Sequence, residues 1–291
     1  MKLQLLEQLL VSGIVLGSTY ALLAVSFGII YSTTGIFHFA HAIVYTVAAY
    51  ASALCVSTFG VPLWLALPIG LAAALVLGVA IELGAYRPMR RRAGVGLAVF
   101  LVSLGLTTAG SNLVQIAFGP ENVPLPGFPL WTIAWGQVTF TNLDIVSVVV
   151  AWACIGALVL FLNSTKYGRA IVAARSNAQL ALVVGIRMDR IFLLAFAVGS
   201  VLVGISSLLF TLNGVASPNM GIAPILIGFI GVFLGGIGSV PGAALGGLVI
   251  GLASDLSGLW LSGDFAPVVV FGLLFVLLIF RPQGLLGRTA H

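Results

Sequence analysis

The stretch GIAPILIGFIGVFLGGIGSVPGAALGGLVIGLASDLSG, residues 221–258, decides how this chain is folded. Its inner 36 residues carry one charge, Asp255. That is far more apolar sequence than the roughly 20 residues a helix needs to cross a bilayer. The run is interrupted near its middle at Gly235, Gly236, Gly238, Ser239, Pro241 and Gly242. Two half-runs of roughly 16–18 residues flank the break, each slightly short of a full crossing. Loosened backbone at membrane depth is tolerated only where protein or a water-filled cavity satisfies it. Residues 221–258 therefore read as a broken helix pair that crosses twice or re-enters, with Gly235, Gly236, Gly238, Pro241 and Gly242 as its hinge.

Outward from this run the chain keeps the same character. Of its 291 residues, 60% are apolar and only 7% are charged, and the mean hydropathy is +1.21. Soluble domains average about 25% charged residues, so this composition excludes a water-exposed globular surface. Seven more segments are candidate crossings: 9–30, 36–57, 63–86, 95–118, 143–162, 191–212 and 265–280. The first is too long for a secretory signal and has no evident small-residue cleavage site, which predicts a retained transmembrane helix. Cys55 and Cys154 both lie in apolar runs, too few for a disulfide framework and too separated for a metal site. The net charge of +5 does not point to nucleic acid, because the cations cluster between apolar segments as membrane topology requires. The predicted fold class is an all-α, polytopic helical membrane protein forming a single domain over residues 1–291.

Charge sets the orientation. Arg87, Arg90, Arg91 and Arg92 follow the third segment, Lys166, Arg169, Arg175, Arg187 and Arg190 lie between the fifth and sixth, and Arg281 and Arg288 follow the last. With these three regions in the cytoplasm, 11 of the 12 Lys and Arg are inside and only Lys2 is outside, as the positive-inside rule favours. The N-terminus is then outside, the C-terminus cytoplasmic and the number of crossings odd. A double crossing at 221–258 gives nine, and a re-entrant pair gives seven. A single crossing there gives eight, sends Arg281 and Arg288 outside, and is rejected. Nine crossings are predicted.

Two loops stand out. The external loop 119–142 holds Pro120, Pro124, Pro126, Pro129, Trp131 and Trp135, and its indoles suit the membrane interface; it reads as a lid on the helices or as part of a docking surface. The cytoplasmic loop 165–190 is a charged island, TKYGRAIVAARSNAQLALVVGIRMDR. Ser176 followed by Gln179 fits a capping box, and Gly185 fits a left-handed C-terminal residue. Between them lie about eight residues, roughly 12 Å of helix. Leu180, Ala181, Val183 and Val184 are too apolar to be left in water. The helix lies on lipid or docks in a groove of another protein, and the basic residues on both sides of it favour docking.

The remaining candidates concern a path through the membrane. His38 and His41 are three apart and would share one face of a helix. They either bond locally to backbone at a helix break or, with Phe37 and Phe39, line a substrate path. A metal site would need more ligands, and the only other histidine is His291. Gly13/Gly17, Gly231/Gly235, Gly242/Gly246 and Gly247/Gly251 are spaced for close helix packing. Glu82 and Asp255 are the carboxylates within spans, far apart and with no basic partner evident nearby. An ion-coupled carrier would more often show several intramembrane ionisable groups. The break at Gly235–Gly242 lacks the Gly-Lys-Ser/Thr ending of a phosphate-binding loop, and neither a nucleotide site nor a nucleophile-plus-base arrangement is found.

Taken in order, these residues resemble the permease subunits of bacterial ABC importers for branched-chain amino acids, the LivH type. The likeness runs nearly end to end. It includes Gly17-Ser18-Thr19-Tyr20-Ala21-Leu22, Phe37-His38-Phe39-Ala40-His41, Tyr167-Gly168-Arg169-Ala170 and the Gly185-Ile186 pair. It continues through Gly235-Gly236-Ile237-Gly238-Ser239, Gly242-Ala243 and the terminal Phe280-Arg281-Pro282-Gln283-Gly284-Leu285-Leu286-Gly287. The resemblance implies a complex of two permeases, identical or homologous, two cytoplasmic ATPases that bind ATP and Mg, and a periplasmic or extracellular solute-binding protein. This chain itself would hold no cofactor. The resemblance makes residues 177–184 a coupling helix, with Arg175, Ser176, Asn177, Ala178, Gln179, Leu180, Ala181, Val184 and Gly185 at the ATPase contact. It routes branched-chain amino acids or related small polar solutes past Phe37, His38, Phe39 and His41. This chain departs from the family in having Asn177-Ala178-Gln179-Leu180-Ala181 where Asn-Pro-Glu-Ala-Ala is usual. His38 also stands in place of Asn and Ala42 in place of Gly.

Overall fold

The computed structural model describes residues 2–93, 96–261 and 265–287. Val95, Arg288 and His291, which enter the readings above, lie outside them. The protein is a helical membrane protein. Among the described residues, six helices are long and apolar enough to cross a bilayer. They are α1 (Lys2–Thr34), α3 (Leu63–Ile81) with its continuation, α5 (Leu97–Phe118), α6 (Asn142–Ser164), α9 (Met188–Asn213) and α11 (Val240–Ser257). Three apolar helices are shorter: α2 (His41–Ser57), α10 (Ile222–Gly235) and α12 (Ala266–Phe280). A π-helical turn (Glu82–Tyr86) carries α3 into α4 (Arg87–Ala93), and α7 (Lys166–Ser176) and α8 (Ala178–Val183) lie between α6 and α9. The second segment starts later than the sequence predicts, at His41 rather than residue 36. Gly35, at φ +70°, ends α1 in left-handed backbone, and residues 36–40 stay non-helical.

The chain divides into two compact units. The first gathers the chain up to Gly28, Pro129–Gly156 and the chain from Leu226 onward. Its helices meet through backbone, because glycines remove the side chains that would hold them apart. A Cβ on Gly17 would sit 2.7 Å from the Leu248 carbonyl oxygen, and Gly251 and Gly247 lie against the Gly17 and Ala21 backbones. Trp152 Nε1 donates to Ser18 Oγ at 3.0 Å, tying α6 to α1. Ile230, Leu234, Ile250, Val270 and Leu274 form the buried apolar cluster of α10, α11 and α12.

The break in residues 221–258 is real and spans residues 236–239. Gly236 and Gly238 have φ +103° and +84°, which side-chain-bearing residues rarely adopt. Ser239 Oγ accepts from Gly242 N–H at 3.1 Å and caps α11, whose first turn accommodates Pro241, where a missing N–H costs nothing. A Cβ on Gly235 would overlap the Gly242 backbone, so the two helix ends touch directly. The carbonyls at the end of α10 are taken up from further along the chain. Leu285 N–H donates to Leu234 O at 2.8 Å and Leu286 N–H to Gly235 O at 2.9 Å.

A hairpin, β2 (Thr132–Trp135) and β3 (Val138–Thr141), belongs to the same unit. Gly136, at φ +65°, opens its two-residue turn, as a type II′ turn demands. The Gln8 side chain bonds Thr139 in both directions at 2.9 Å and fixes the hairpin to the start of α1. Trp131 and Trp135 remain exposed.

The second unit comprises Ile29–Phe128 and Ala157–Ile225. Its core is α2, α3 and α9, packed through small residues and hydroxyls. Ser52 Oγ donates to Ala66 O at 2.9 Å, Ser207 Oγ donates to Tyr45 O at 2.6 Å, and Gly204 sits against Ala74 and Leu71. The strand β1 (Val123–Pro124) pairs antiparallel with β4 (Val215–Ala216), joining the loop after α5 to the chain after α9.

Candidate functional site

Three groups of residues singled out in the sequence have definite surroundings, the first of them the segment between α6 and α9. Thr165 Oγ1 accepts from Gly168 N–H at 2.9 Å and starts α7, a helix that the sequence reading treats as loop. Gly168, Ile171 and Ala174 form its buried face. Gly168 is needed there for close approach, since a Cβ would lie 2.6 Å from Leu162 Cα.

The expected capping box does not form. Ser176 is the last residue of α7, and its hydroxyl donates back to Val172 O at 2.8 Å. Asn177, extended at φ −156°, is the one residue between α7 and α8 and closes the first while opening the second. Its Oδ1 accepts from Leu180 N–H at 3.0 Å, satisfying a donor that a helix start leaves open.

Gly185 behaves as the sequence predicts. At φ +83° it ends the helix with two return bonds, Gly185 N–H to Leu182 O and Ile186 N–H to Ala181 O, both 3.0 Å, the Schellman pattern. Capped at both ends, the six residues of α8 are held as helix although so short a helix is marginal on its own. Ala181 points inward and is buried, which removes it from the predicted docking face. Leu180, Val183 and Val184 are exposed at 62, 82 and 74%, and Leu182 joins them at 58%. Ala178, Gln179 and Gly185 are exposed and Arg175 is half-buried, while Lys166 and Arg169 before α8 and Arg187 and Arg190 after it in the chain are also exposed.

The second group surrounds the π-helical turn. Glu82 is fully buried, yet it does not lack a partner: Arg90 binds it through both guanidinium arms, Nη1 to Oε2 at 2.9 Å and Nη2 to Oε1. Eight residues on an α-helix rotate by about 800°, which would put Arg90 some 80° off the Glu82 face. A π-turn absorbs one extra residue, so the pair behaves as i, i+7 and shares a face. That is why regular helical spacing hides it. Arg90 also lies over the Phe192 ring of α9 at 4.6 Å. Arg87 and Arg91, one α-turn apart, both donate to Asp189 Oδ2 at the start of α9, at 2.8 and 2.7 Å.

The third group is the non-helical segment before α2. His38 lies in that segment and His41 opens the helix, so they do not share a helical face as expected, but their rings are 5.0 Å apart and both are buried. His38 Nδ1 bonds the Tyr86 hydroxyl at 2.9 Å, a side-chain partner from the end of the π-turn rather than local backbone. Phe196 of α9 lies edge-on to His38 at 4.9 Å. The Ala40 N–H donates to Ser103 Oγ of α5 at 2.9 Å. Phe37 and Phe39 are half-buried and both meet Phe100, at 6.3 and 5.5 Å between ring centres. Gly235, Gly236, Gly238, Pro241 and Gly242 belong to the helix break already described.

Comparison with known proteins gives this arrangement a family. The description "Branched-chain amino acid transport system / permease component" matches residues 9–279. The chain is 32% identical to the high-affinity branched-chain amino acid transport system permease protein LivH of Escherichia coli K12 over 97% of this chain and 95% of that one. The chain belongs to the branched-chain amino acid transport permease family.

This permease is 30% identical to BraD of Pseudomonas aeruginosa over 97% of its own length and 95% of the relative's. LivM of Salmonella typhimurium is more distant, at 26% identity over 93% of this permease and 68% of LivM. Among solved structures, PsaBC from Streptococcus pneumoniae in complex with Fab superposes with a TM-score of 0.53 at 12% identity, covering 94% of this permease and 91% of that chain. At that identity the likeness concerns the fold. The permease is a transport component, and its mechanism has to be sought in its moving parts.

Proposed function

We propose that this permease is the membrane subunit of an ABC importer in the bacterial inner membrane, carrying branched-chain amino acids or related small polar solutes into the cytoplasm. The reading takes residues 1–291 as one permease domain with nine crossings, the 221–258 pair counted as two. The N-terminus is outside and residues 165–190 and the C-terminus are cytoplasmic. A second permease, identical or homologous, completes the membrane pore. Two cytoplasmic ATPases bind ATP and Mg, so no cofactor resides in this chain. A solute-binding protein delivers substrate on the side of the 119–142 loop. ATP binding draws the ATPases together and switches the permease pair from one open face to the other.

One observation carries this reading. A helix capped by Asn177 and Gly185 exposes Leu180, Leu182, Val183 and Val184, with exposed cations before and after it in the chain. Full burial of a Leu or Val side chain is worth about 1.5–3 kcal/mol, so an apolar groove on an ATPase gains from covering the patch, and the flanking cations suit an acidic groove rim. Arg175, Ser176, Asn177, Ala178, Gln179 and Gly185 frame the contact. Ala181 holds the helix to its own protein. Along the path, Phe37 and Phe39 face the solute, and His38 and His41 brace them from the interior. The break at Gly235–Gly242 serves as a hinge. The alternative of an ion-coupled carrier draws no support from Glu82, whose charge is already matched by Arg90.

Leu180→Asp tests the docking. An unpaired charge pressed into an apolar groove is strongly unfavourable. The ATPase subunits are expected to co-purify with the wild-type permease and to be lost or uncoupled in the variant, with uptake into proteoliposomes falling at least tenfold. Unchanged uptake and unchanged ATPase association in Leu180→Asp would end the docking reading.

A further inference from the structure

The face of α9 that begins beside the coupling segment touches, in order, Arg87 and Arg91, then Arg90, then Tyr86 and His38. Asp189, Phe192 and Phe196 fall at i, i+3 and i+7, one side of a helix. Asp189 holds Arg87 and Arg91, Phe192 lies under Arg90, and Phe196 packs on both His38 and Tyr86, at 4.9 and 5.5 Å. Only residues 184–187 separate α8 from α9, so a displacement of the coupling helix is delivered to the first turn of α9 with little slack. We propose that Asp189, Arg87, Arg91, Arg90, Glu82, Tyr86 and His38 are positioning residues that carry the motion of α8 to the non-helical segment 36–40 ahead of α2. This inference rests on the reading of α8 as the ATPase-docking helix.

The parts differ in stiffness in a way that suits the task. Asp189 and Arg87 are more than a third exposed and Arg91 more so, and solvent-exposed ion pairs are weak and rearrange readily. Those bonds form a latch that can shift between two states. Glu82 is fully buried and Arg90, with 9% of its side chain exposed, is joined to it through both arms, and a pair of that kind cannot open without stranding a charge. The clamp therefore moves α4 and the π-turn as one body. At the far end of that turn the Tyr86–His38 bond, at 2.9 Å, ties the body to the segment that holds Phe37 and Phe39.

The experiment uses the full importer: permease pair, ATPases and binding protein in lipid nanodiscs for hydrolysis and proteoliposomes for uptake. The measured quantities are ATPase co-purification, the ratio of binding-protein-stimulated to basal hydrolysis, and uptake. Asp189→Asn and Asp189→Lys are expected to retain the ATPases while uptake and the stimulation ratio fall. The fall should be about 5-fold to 150-fold, the range that coupling free energies span. Reversing the charges, Asp189→Lys with Arg87→Glu and Arg91→Glu, should restore both, which a residue that merely supports the fold would not do. A second readout follows the segment itself. In a Cys55→Ala, Cys154→Ala background, maleimide labelling at Phe39→Cys should change with ATP, and adding Asp189→Asn should abolish that change. Uptake and stimulation within twofold of wild type in Asp189→Asn overturn the linkage, as does a charge-reversed complex that assembles but is not restored. If Leu180→Asp keeps the ATPases and normal uptake, the docking reading fails and the linkage falls with it. If Leu180→Asp uncouples the importer while Asp189→Asn does not, the linkage alone fails.

Discussion

Arg90→Met tests how much of this protein depends on one buried charge pair. Glu82 has no exposed surface and Arg90 is 9% exposed at its side chain, so removing the guanidinium leaves a carboxylate deep in the helix bundle. Breaking a buried pair in this way costs about 3–5 kcal/mol. The loss of Arg90 from the Phe192 face takes with it a cation–π contact of roughly 1–2 kcal/mol when desolvated. By the scaling for domains of 150–250 residues, about 2–4 °C per kcal/mol, the two losses together, about 4–7 kcal/mol, should lower the midpoint by roughly 8–28 °C, with a chain of this length toward the lower figure. Thermal denaturation of the detergent-solubilised complex, followed by tryptophan fluorescence, measures it. The decisive comparison is Glu82→Leu with Arg90→Met. Replacing a buried pair by apolar side chains of similar volume is often neutral or better, so the double variant should recover most of the loss. Arg90→Lys keeps the charge but not the two-armed geometry and should fall between. A single variant within 2 °C of wild type, or a double variant no more stable than the single, would refute the account of a desolvated pair.

Two further predictions concern backbone and cap. Gly235→Ala forces a methyl into the Gly242 backbone, which cannot yield as a side chain would, and should cost about 3 kcal/mol or more, the upper end of overpacking; Gly238→Ala, with open space around it, should cost about 1–2 kcal/mol from its left-handed φ alone. Thermal midpoints of the two variants check the order, and an equal or inverted order contradicts the direct contact of the helix ends. Asn177→Ala should weaken ATPase association by about fivefold, corresponding to roughly 1 kcal/mol of helix cap, whereas Asn177→Ser, which keeps a capping oxygen without adding charge, should bind as wild type and Ser176→Ala should change little. A binding titration of the ATPase to permease in nanodiscs reads all three, and a larger effect at Ser176 than at Asn177 would restore the capping box.

The long helices were legible because crossing a bilayer demands a length of apolar sequence that little else requires. The break at 236–239 was legible because clustered glycines and Pro241 cannot continue a helix. Gly185 announced itself for a related reason, as a residue suited to left-handed backbone just past an apolar helix. Other features depend on tertiary context. Ser176 and Asn177 are adjacent and both are good caps; the choice falls to Asn177 because burial of Gly168, Ile171 and Ala174 draws α7 onward through Ser176. The Glu82–Arg90 pair was hidden because one extra residue in the π-turn moved Arg90 onto a face that regular spacing denies it. The histidines were recognised as neighbours, but their meeting with Tyr86 joins chain segments 48 residues apart, and no local pattern encodes that.

The donors at Leu285 and Leu286 have a consequence for the order of synthesis. They follow their acceptors, Leu234 and Gly235, by about fifty residues. At roughly 5–20 residues per second, the ribosome delivers them some 3–10 s after α10 has left it. During that interval the helix end must borrow water, lipid headgroups or the insertion machinery for its carbonyls, because bare backbone is costly in hydrocarbon. The broken pair therefore enters the membrane unfinished and is closed by a non-helical segment made afterwards, which makes completion of α10 one of the last events in the assembly of this chain.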